Sequence, residues 1–162
     1  MTFSVFKNIN QHAGRSKILD GFAIFCARPL LYIMLLVLLG FSYCNGDWKV
    51  FVYPLLSGLF GAFIIDKIIY IFYKEKRPAT LPSSIVLIPV PRNPSFPSRH
   101  ASVSFGVAFC LYFFSASLAI TFTICACLIS LARVFCGVHW FRDILAGVLV
   151  GLISTLLLSL IF

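Results

Sequence analysis

Five apolar runs, at roughly residues 22–41, 50–73, 100–114, 118–135 and 141–162, leave this chain little choice of fold. About twenty apolar residues span the hydrocarbon of a bilayer as an α-helix, which also pairs its own backbone N–H and C=O groups where no water can. Apolar residues make up 60% of the 162 positions and charged ones 11%. A water-soluble domain of this size has too little interior to hide that much apolar surface. The expected fold is all-α, an integral membrane helical bundle of about five transmembrane helices. No polar linker divides it, so residues 1–162 are read as one domain.

The connections carry their own signals. Residues 1–20 are too polar for a signal peptide and repeat near a helical period. They are expected to form an interfacial helix, with Phe3, Phe6, Ile9, Ile18 and Leu19 along the membrane surface and Lys7, Arg15 and Lys17 toward water. Arg28-Pro29 interrupts the first run, where Arg28 can snorkel and Pro29 can kink the helix. Trp48, in the turn Asn45–Lys49, is an expected interfacial anchor. Six of the eight prolines fall in residues 78–97, which excludes a regular helix and points to a fixed loop of functional length. Gly147 and Gly151, four apart, offer a small face for close helix packing. The six cysteines lie mostly inside apolar runs as small fillers, and neither zinc nor a disulfide framework is expected.

Alternate crossing sends four polar clusters to one face of the membrane. These are the end of run two (Lys74–Pro78), the start of run three (Pro97–His100), the end of run four (Arg133) and the start of run five (His139–Asp143). The excess of 13 Lys+Arg over 5 Asp+Glu sits almost wholly outside the apolar runs. It suits anionic headgroups and, more sharply, a pocket for a phosphate-bearing ligand.

The residue types in these clusters fit phosphoryl chemistry. If a helix starts after Gly137, His139 and Asp143 are four apart and share a face. The carboxylate can then hold one ring nitrogen and leave the other free to attack. Ser98-Arg99-His100 follows Pro97, a residue suited to a helix start, where free N–H groups and the positive dipole end bind phosphate. Ser98 would give its hydroxyl, Arg99 its backbone N–H and His100 a proton as general acid. Arg77 and Arg133 match the charged oxygens of a phosphoryl group. Each feature has a plainer reading, as a helix cap, an interfacial anchor or a structural histidine. Their convergence on one face weighs against all of these at once.

Arg77-Pro78, Pro97-Ser98-Arg99-His100 and Arg133-x5-His139-x3-Asp143 together resemble the signature of the type 2 phosphatidic acid phosphatase superfamily. That signature reads Lys-x6-Arg-Pro, then Pro-Ser-x-His, then Ser-Arg-x5-His-x3-Asp. The resemblance implies a helical-bundle phosphatase with no metal and no cofactor. In it His139 is the nucleophile, Asp143 its partner and His100 the acid, while Arg77, Ser98, Arg99 (through its N–H) and Arg133 hold the phosphate. Two positions depart from the pattern. Tyr70 stands where the signature has lysine; Lys67 and Lys74 share its helical face, and Lys74, nearer the rim, is taken as the substitute. Ala132 stands where the signature has serine.

Phe6-Lys-x-Ile-Asn10, Leu19-Asp20 and Glu75-x-Arg77-Pro78 are similar to bacterial undecaprenyl-diphosphatases of the bacitracin-resistance type. Undecaprenyl diphosphate is therefore the leading expected substrate, with phosphatidate, phosphatidylglycerophosphate and lipid A phosphatases sharing the same motifs. The expected partners are a lipid phosphate or diphosphate and the bilayer, with no nucleic acid. The alternative of another class is a non-enzymatic anion- or lipid-binding membrane protein that uses the same basic rim. The resemblance implies a plasma-membrane protein whose site faces outward. Lys7, Arg15 and Lys17, on the site's side, argue by the positive-inside rule for the opposite orientation.

Overall fold

Among the described residues, 2–161 in this computed structural model, all regular structure is helical. Met1 and Phe162, the last residue of the fifth expected span, lie outside them. The helices are α1 (Thr2–Asn10), α2 (Lys17–Ala27), α3 (Pro29–Asn45), α4 (Lys49–Phe60), α5 (Asp66–Phe72), α6 (Arg99–Cys110), α7 (Ala116–Phe135) and α8 (Phe141–Leu158). A π-helical turn, Gly61–Ile65, joins α4 to α5.

Among the described residues three helices are long and apolar enough to cross a membrane: the continuous Lys49–Phe72, α7 and α8. The first expected span is a bent pair instead. α2 and α3 meet at 50° at Arg28-Pro29, and they make a fourth span if read as one broken helix. Pro29 lacks the N–H that would continue the ladder, so the chain breaks there and restarts with proline in the first turn. The expected third span is short, with only twelve residues in α6 and a 3-10 turn, Leu111–Phe113, beyond it.

α6 is short because it is central. Ala101 to Ala108 and Cys110 are all buried, and the helix packs against α4, α7 and α8. A helix covered on every side needs no lipid-facing stripe and can carry Ser102, Ser104 and His100. Glycines let its neighbours come close. A Cβ on Gly147 would lie 2.6 Å from the Ala101 Cβ, and one on Gly151 would lie 2.7 Å from the Gly106 nitrogen. On the other side, a Cβ on Gly58 would lie 2.8 Å from the Val103 carbonyl. Small polar groups then pair across these contacts. Ser57 and Thr155 share a hydrogen bond of 2.8 Å, Thr155 donates to the Gly106 carbonyl at 3.2 Å, and Ser102 donates to Asp66 Oδ1 at 3.0 Å.

The N-terminal segment, expected as one interfacial helix, is divided between α1 and the start of α2. Phe3 and Ile18 are exposed, but Phe6 is buried, with its ring 5.1 Å from that of Trp140. Asn10 is buried as well. Its amide donates to the carbonyls of Ile85 and Phe135, each at 2.8 Å, and its Oδ1 accepts from the Ile85 N–H at 2.9 Å. α1 thereby ties the proline-rich loop to the end of α7.

The clamp on α6 makes a direct test. Gly151→Val should lower the unfolding free energy by about 1–3 kcal/mol through overpacking, measured by denaturation in detergent micelles. Gly40→Val, at an exposed position with open space around it, should leave stability nearly unchanged.

Candidate active site

The turn that carries His139 is shaped by its neighbours. α7 ends at Phe135, and Gly137, at φ +79, reverses the chain beside Asn10 and Ile85, where a side chain would collide with the loop. α8 then starts behind Trp140, whose N–H donates to Asp143 Oδ2 at 2.8 Å, one half of a capping box. Asp143 is therefore first of all the carboxylate that starts α8.

His139, 2% exposed, points back into the bundle. Its Nδ1 lies 3.0 Å from the Ser95 carbonyl and 3.4 Å from Asp143 Oδ2. A carbonyl can only accept, so Nδ1 carries the hydrogen and Nε2 keeps its lone pair. The expected Asp143 partnership is present but longer than the bond to Ser95. Ser95 also donates its hydroxyl to Asp143 Oδ2 at 2.5 Å, so the loop, the carboxylate and the imidazole form one unit. Burial, then the guanidiniums of Arg133 and Arg77, hold the His139 pKa well below the usual 6.5. The side chain is a neutral imidazole with a free lone pair, the form that can attack phosphorus.

Arg77 faces that lone pair, with Nη1 3.1 Å from His139 Nε2. The rest of its guanidinium is held by carbonyls: Nε donates to Asn93, Nη1 to Val138 and Nη2 to Pro94, at 2.8–3.2 Å. The segment before it is fastened to the start of α8. The Trp140 indole donates to the Lys76 carbonyl at 2.9 Å, and Glu75 pairs with Arg142.

A cavity of about 160 Å³ opens onto Nε2, lined by Arg77, Pro91, Asn93, Arg99, His100, Arg133 and His139. At ≈ 30 Å³ per liquid water it has room for about five waters, the scale of one phosphoryl group. Arg133, 3% exposed, enters from α7 and donates to the Ala27 carbonyl at 3.2 Å, at the break between α2 and α3. Its Nε is buried with no hydrogen-bond partner among the described residues. Three guanidiniums and no carboxylate line the cavity, so the side chains facing it suit an anion.

Five of the eight residues named from the sequence thus line one cavity: Arg77, Arg99, His100, Arg133 and His139. Asp143 stands behind His139. Ser98 caps α6 from a fully buried position and does not line the cavity; its hydroxyl has no hydrogen-bond partner among the described residues, and its N–H donates to the Asp143 carbonyl at 3.0 Å. Lys74 stands apart. It is exposed and lines an adjoining open groove of about 450 Å³ with Lys76 and Arg92. Lys67 is exposed and lines neither.

The third guanidinium of the cavity comes from Arg99, whose side chain the sequence reading had given no part. It lies over two rings, 5.3 Å from the Phe63 centroid and 5.8 Å from that of Tyr70. Tyr70 itself donates to the Pro97 carbonyl at 2.9 Å and accepts from Asn93 at 3.2 Å.

The PAP2 superfamily model matches residues 51–162, which hold all of these side chains. The chain belongs to the PAP2 superfamily. Two relatives of this PAP2 chain match it over most of its length. The bacitracin transport permease protein BcrC of Bacillus licheniformis is 26% identical over 159 residues, covering 96% of this chain and 78% of its own. The undecaprenyl-diphosphatase BcrC of Bacillus subtilis (strain 168) is 24% identical over 155 residues, covering 94% and 80%. The crystal structure of Aquifex aeolicus LpxE is similar with a TM-score of 0.74 at 26% identity, over 99% of this chain and 95% of that one. A PAP2 type phosphatidylglycerolphosphate phosphatase from Bacillus subtilis shares the fold, with a TM-score of 0.64 at 24% identity over 96% and 83%. The fold class and the family expected from the sequence are thereby borne out, as a multi-pass membrane protein of a lipid phosphatase family.

Ser95 and Asn93 were missed because the residues they serve are far away in sequence. The surrounding prolines marked the segment as fixed without saying what it held. The buried neutral imidazole has a spectroscopic test. The 15N shifts of His139 should report an Nδ1–H, Nε2-bare ring at pH 6, unchanged between pH 7 and 5.5. A titration centred near 6.5 would overturn the assignment.

Proposed function

We propose that this PAP2 protein hydrolyses the terminal phosphate of a lipid diphosphate, with undecaprenyl diphosphate as the substrate, through a phosphohistidine on His139. The observation that carries the reading is the His139 lone pair facing a cavity lined by Arg77, Arg99 and Arg133 with His100 beside them. The undecaprenyl-diphosphatase name of the Bacillus subtilis relative supports the choice of lipid.

In the forward step the substrate phosphoryl group takes the Arg77 N–H now directed at Nε2, and Nε2 attacks phosphorus in line with the leaving oxygen. The P–N bond forms as the P–O bond breaks. His100, protonated once the substrate's negative charge lies among the arginines, gives that proton to the departing oxygen. Ser95 and Asp143 stabilise the positive charge that develops on His139. Water then attacks the phosphohistidine, passing a proton to His100, and inorganic phosphate leaves. Arginine N–H donors supply the charge stabilisation that a metal gives in other phosphatases, so the reaction is metal-independent. Ser98 supports the phosphate from the start of α6, and Lys74, in the adjoining groove, adds to the field that draws an anionic headgroup.

Purified protein in detergent should release phosphate from undecaprenyl diphosphate equally well with EDTA, and His139→Ala should lose more than about ten-thousandfold in kcat, beyond what general acid–base catalysis alone supplies. Acid quenching with 32P-labelled substrate should trap label on histidine. Full activity in the variant, or label on serine, would sink the mechanism.

The site is proposed to face outward from the plasma membrane. Cysteines introduced at His12, on the site's side, and at Asp47, in the turn between α3 and α4, should react oppositely with an impermeant maleimide in intact cells. Labelling at position 47 alone would reverse the orientation.

A further inference from the structure

A second cavity adjoins the first, and nothing in the three motifs explains it. It measures about 240 Å³ and is lined by Arg28, Tyr32, Ile88, Pro89, Pro91, His100 and Arg133. Pro91, His100 and Arg133 line both cavities, so the two share a wall. His139 lines only the inner one and Arg28 only the outer one.

Arg28 is held at this place by the break in the helix. It is the single residue between α2 and α3, with non-helical dihedrals of φ −125 and ψ −74. Its own N–H still reaches the Ile24 carbonyl, while Arg133 caps the neighbouring Ala27 carbonyl. Among the described residues no carboxylate lies within ion-pair distance of Arg28 or Arg133; the only ion pairs are His139–Asp143 and Arg142–Glu75. Arg133, whose Nε is buried with no hydrogen-bond partner among the described residues, lines both cavities. Arg133 is buried and Arg28 is exposed, and like charges gathered at one cavity without a counter-charge call for an anion.

The direction of the reaction says which anion. If His139 attacks from the inner cavity and His100 protonates the departing oxygen, the leaving group lies beyond His100. That is the outer cavity. We propose that Arg28, with Arg133, forms a subsite for the phosphate next to the scissile bond, the one that stays on the lipid, so that the protein selects lipid diphosphates over lipid monophosphates. This rests on the phosphatase reading above and deepens it. The terminal phosphoryl group occupies the inner cavity, the bridging oxygen meets His100, and the inner phosphate meets Arg28. Tyr32, 64% exposed on α3, lies where the lipid tail passes from the subsite into the bilayer. The break between α2 and α3 gives this charged group a way in from the side.

The test uses two substrates with one tail, farnesyl diphosphate and farnesyl monophosphate, on the full-length protein in detergent. The wild type should favour the diphosphate in kcat/KM. Arg28→Gln should lower the diphosphate-to-monophosphate ratio at least tenfold, and Arg28→Lys should fall between the two. Competition supplies a second readout that needs no turnover: pyrophosphate should inhibit the wild type more tightly than orthophosphate, and Arg28→Gln should erase that advantage. A ratio that stays the same in Arg28→Gln, whether both activities fall or neither does, overturns the subsite. So does a wild type that prefers the monophosphate, and in each case the lipid phosphatase reading stands. Activity that survives His139→Ala overturns that reading instead.

Discussion

Everything at the site depends on a helix that could not exist in lipid by itself. α6 carries serines, a histidine and an arginine within twelve residues, and in hydrocarbon each would be costly to expose. Gly58 and Gly106 on one side, and Gly147 and Gly151 on the other, bring α4 and α8 close enough to seal it. The hydroxyls of Ser57, Ser102 and Thr155 then find partners in neighbouring helices rather than in solvent. Sealing also fixes position, because the first turn of α6 and the first turn of α8 meet through the Ser98 N–H and the Asp143 carbonyl. His100 and His139 owe their common cavity to that contact.

A second constraint is electrical. Four arginines, Arg28, Arg77, Arg99 and Arg133, line two adjoining cavities. Among the described residues none of the four is in a salt bridge with a carboxylate. Arg77 is held by backbone carbonyls, Arg133 by the carbonyl that the helix break exposes, and Arg99 by the faces of Phe63 and Tyr70. Carbonyls and rings orient a guanidinium without neutralising it, so its attraction for phosphate is preserved. Asp143, the carboxylate beside His139, accepts from Ser95 and Trp140 and lines neither cavity.

Much of this was legible in the sequence, for definite reasons. Membrane spans announce themselves by length, and alternate crossing alone put Arg77, His100, Arg133 and His139 on one side. The i, i+4 spacing of His139 and Asp143 survived because a helix does start between them. α6 was drawn too long, since a helix buried on all sides has no polar face to mark its limits. Phe6 was assigned to the membrane surface because amphipathic periodicity shows that a face is apolar but not whether lipid or protein covers it. Arg99 was credited with its backbone only, because its role depends on Tyr70 and Phe63 arriving across a π-helical turn. Ser95 carries no motif of its own; a carbonyl's direction is a property of the loop, 44 residues from the histidine it serves.

Asn10 has a consequence for how the protein is made. Its partners at Ile85 and Phe135 are 75 and 125 residues further along. During synthesis the Asn10 amide can meet Ile85 once the loop has been made, but its bond to Phe135 waits for the end of α7. The loop bearing Ser95 cannot be locked before that moment, so a truncated or stalled chain has spans but no assembled site. The cavity residues are thereby brought together late in synthesis, once the end of α7 and the start of α8 have been made.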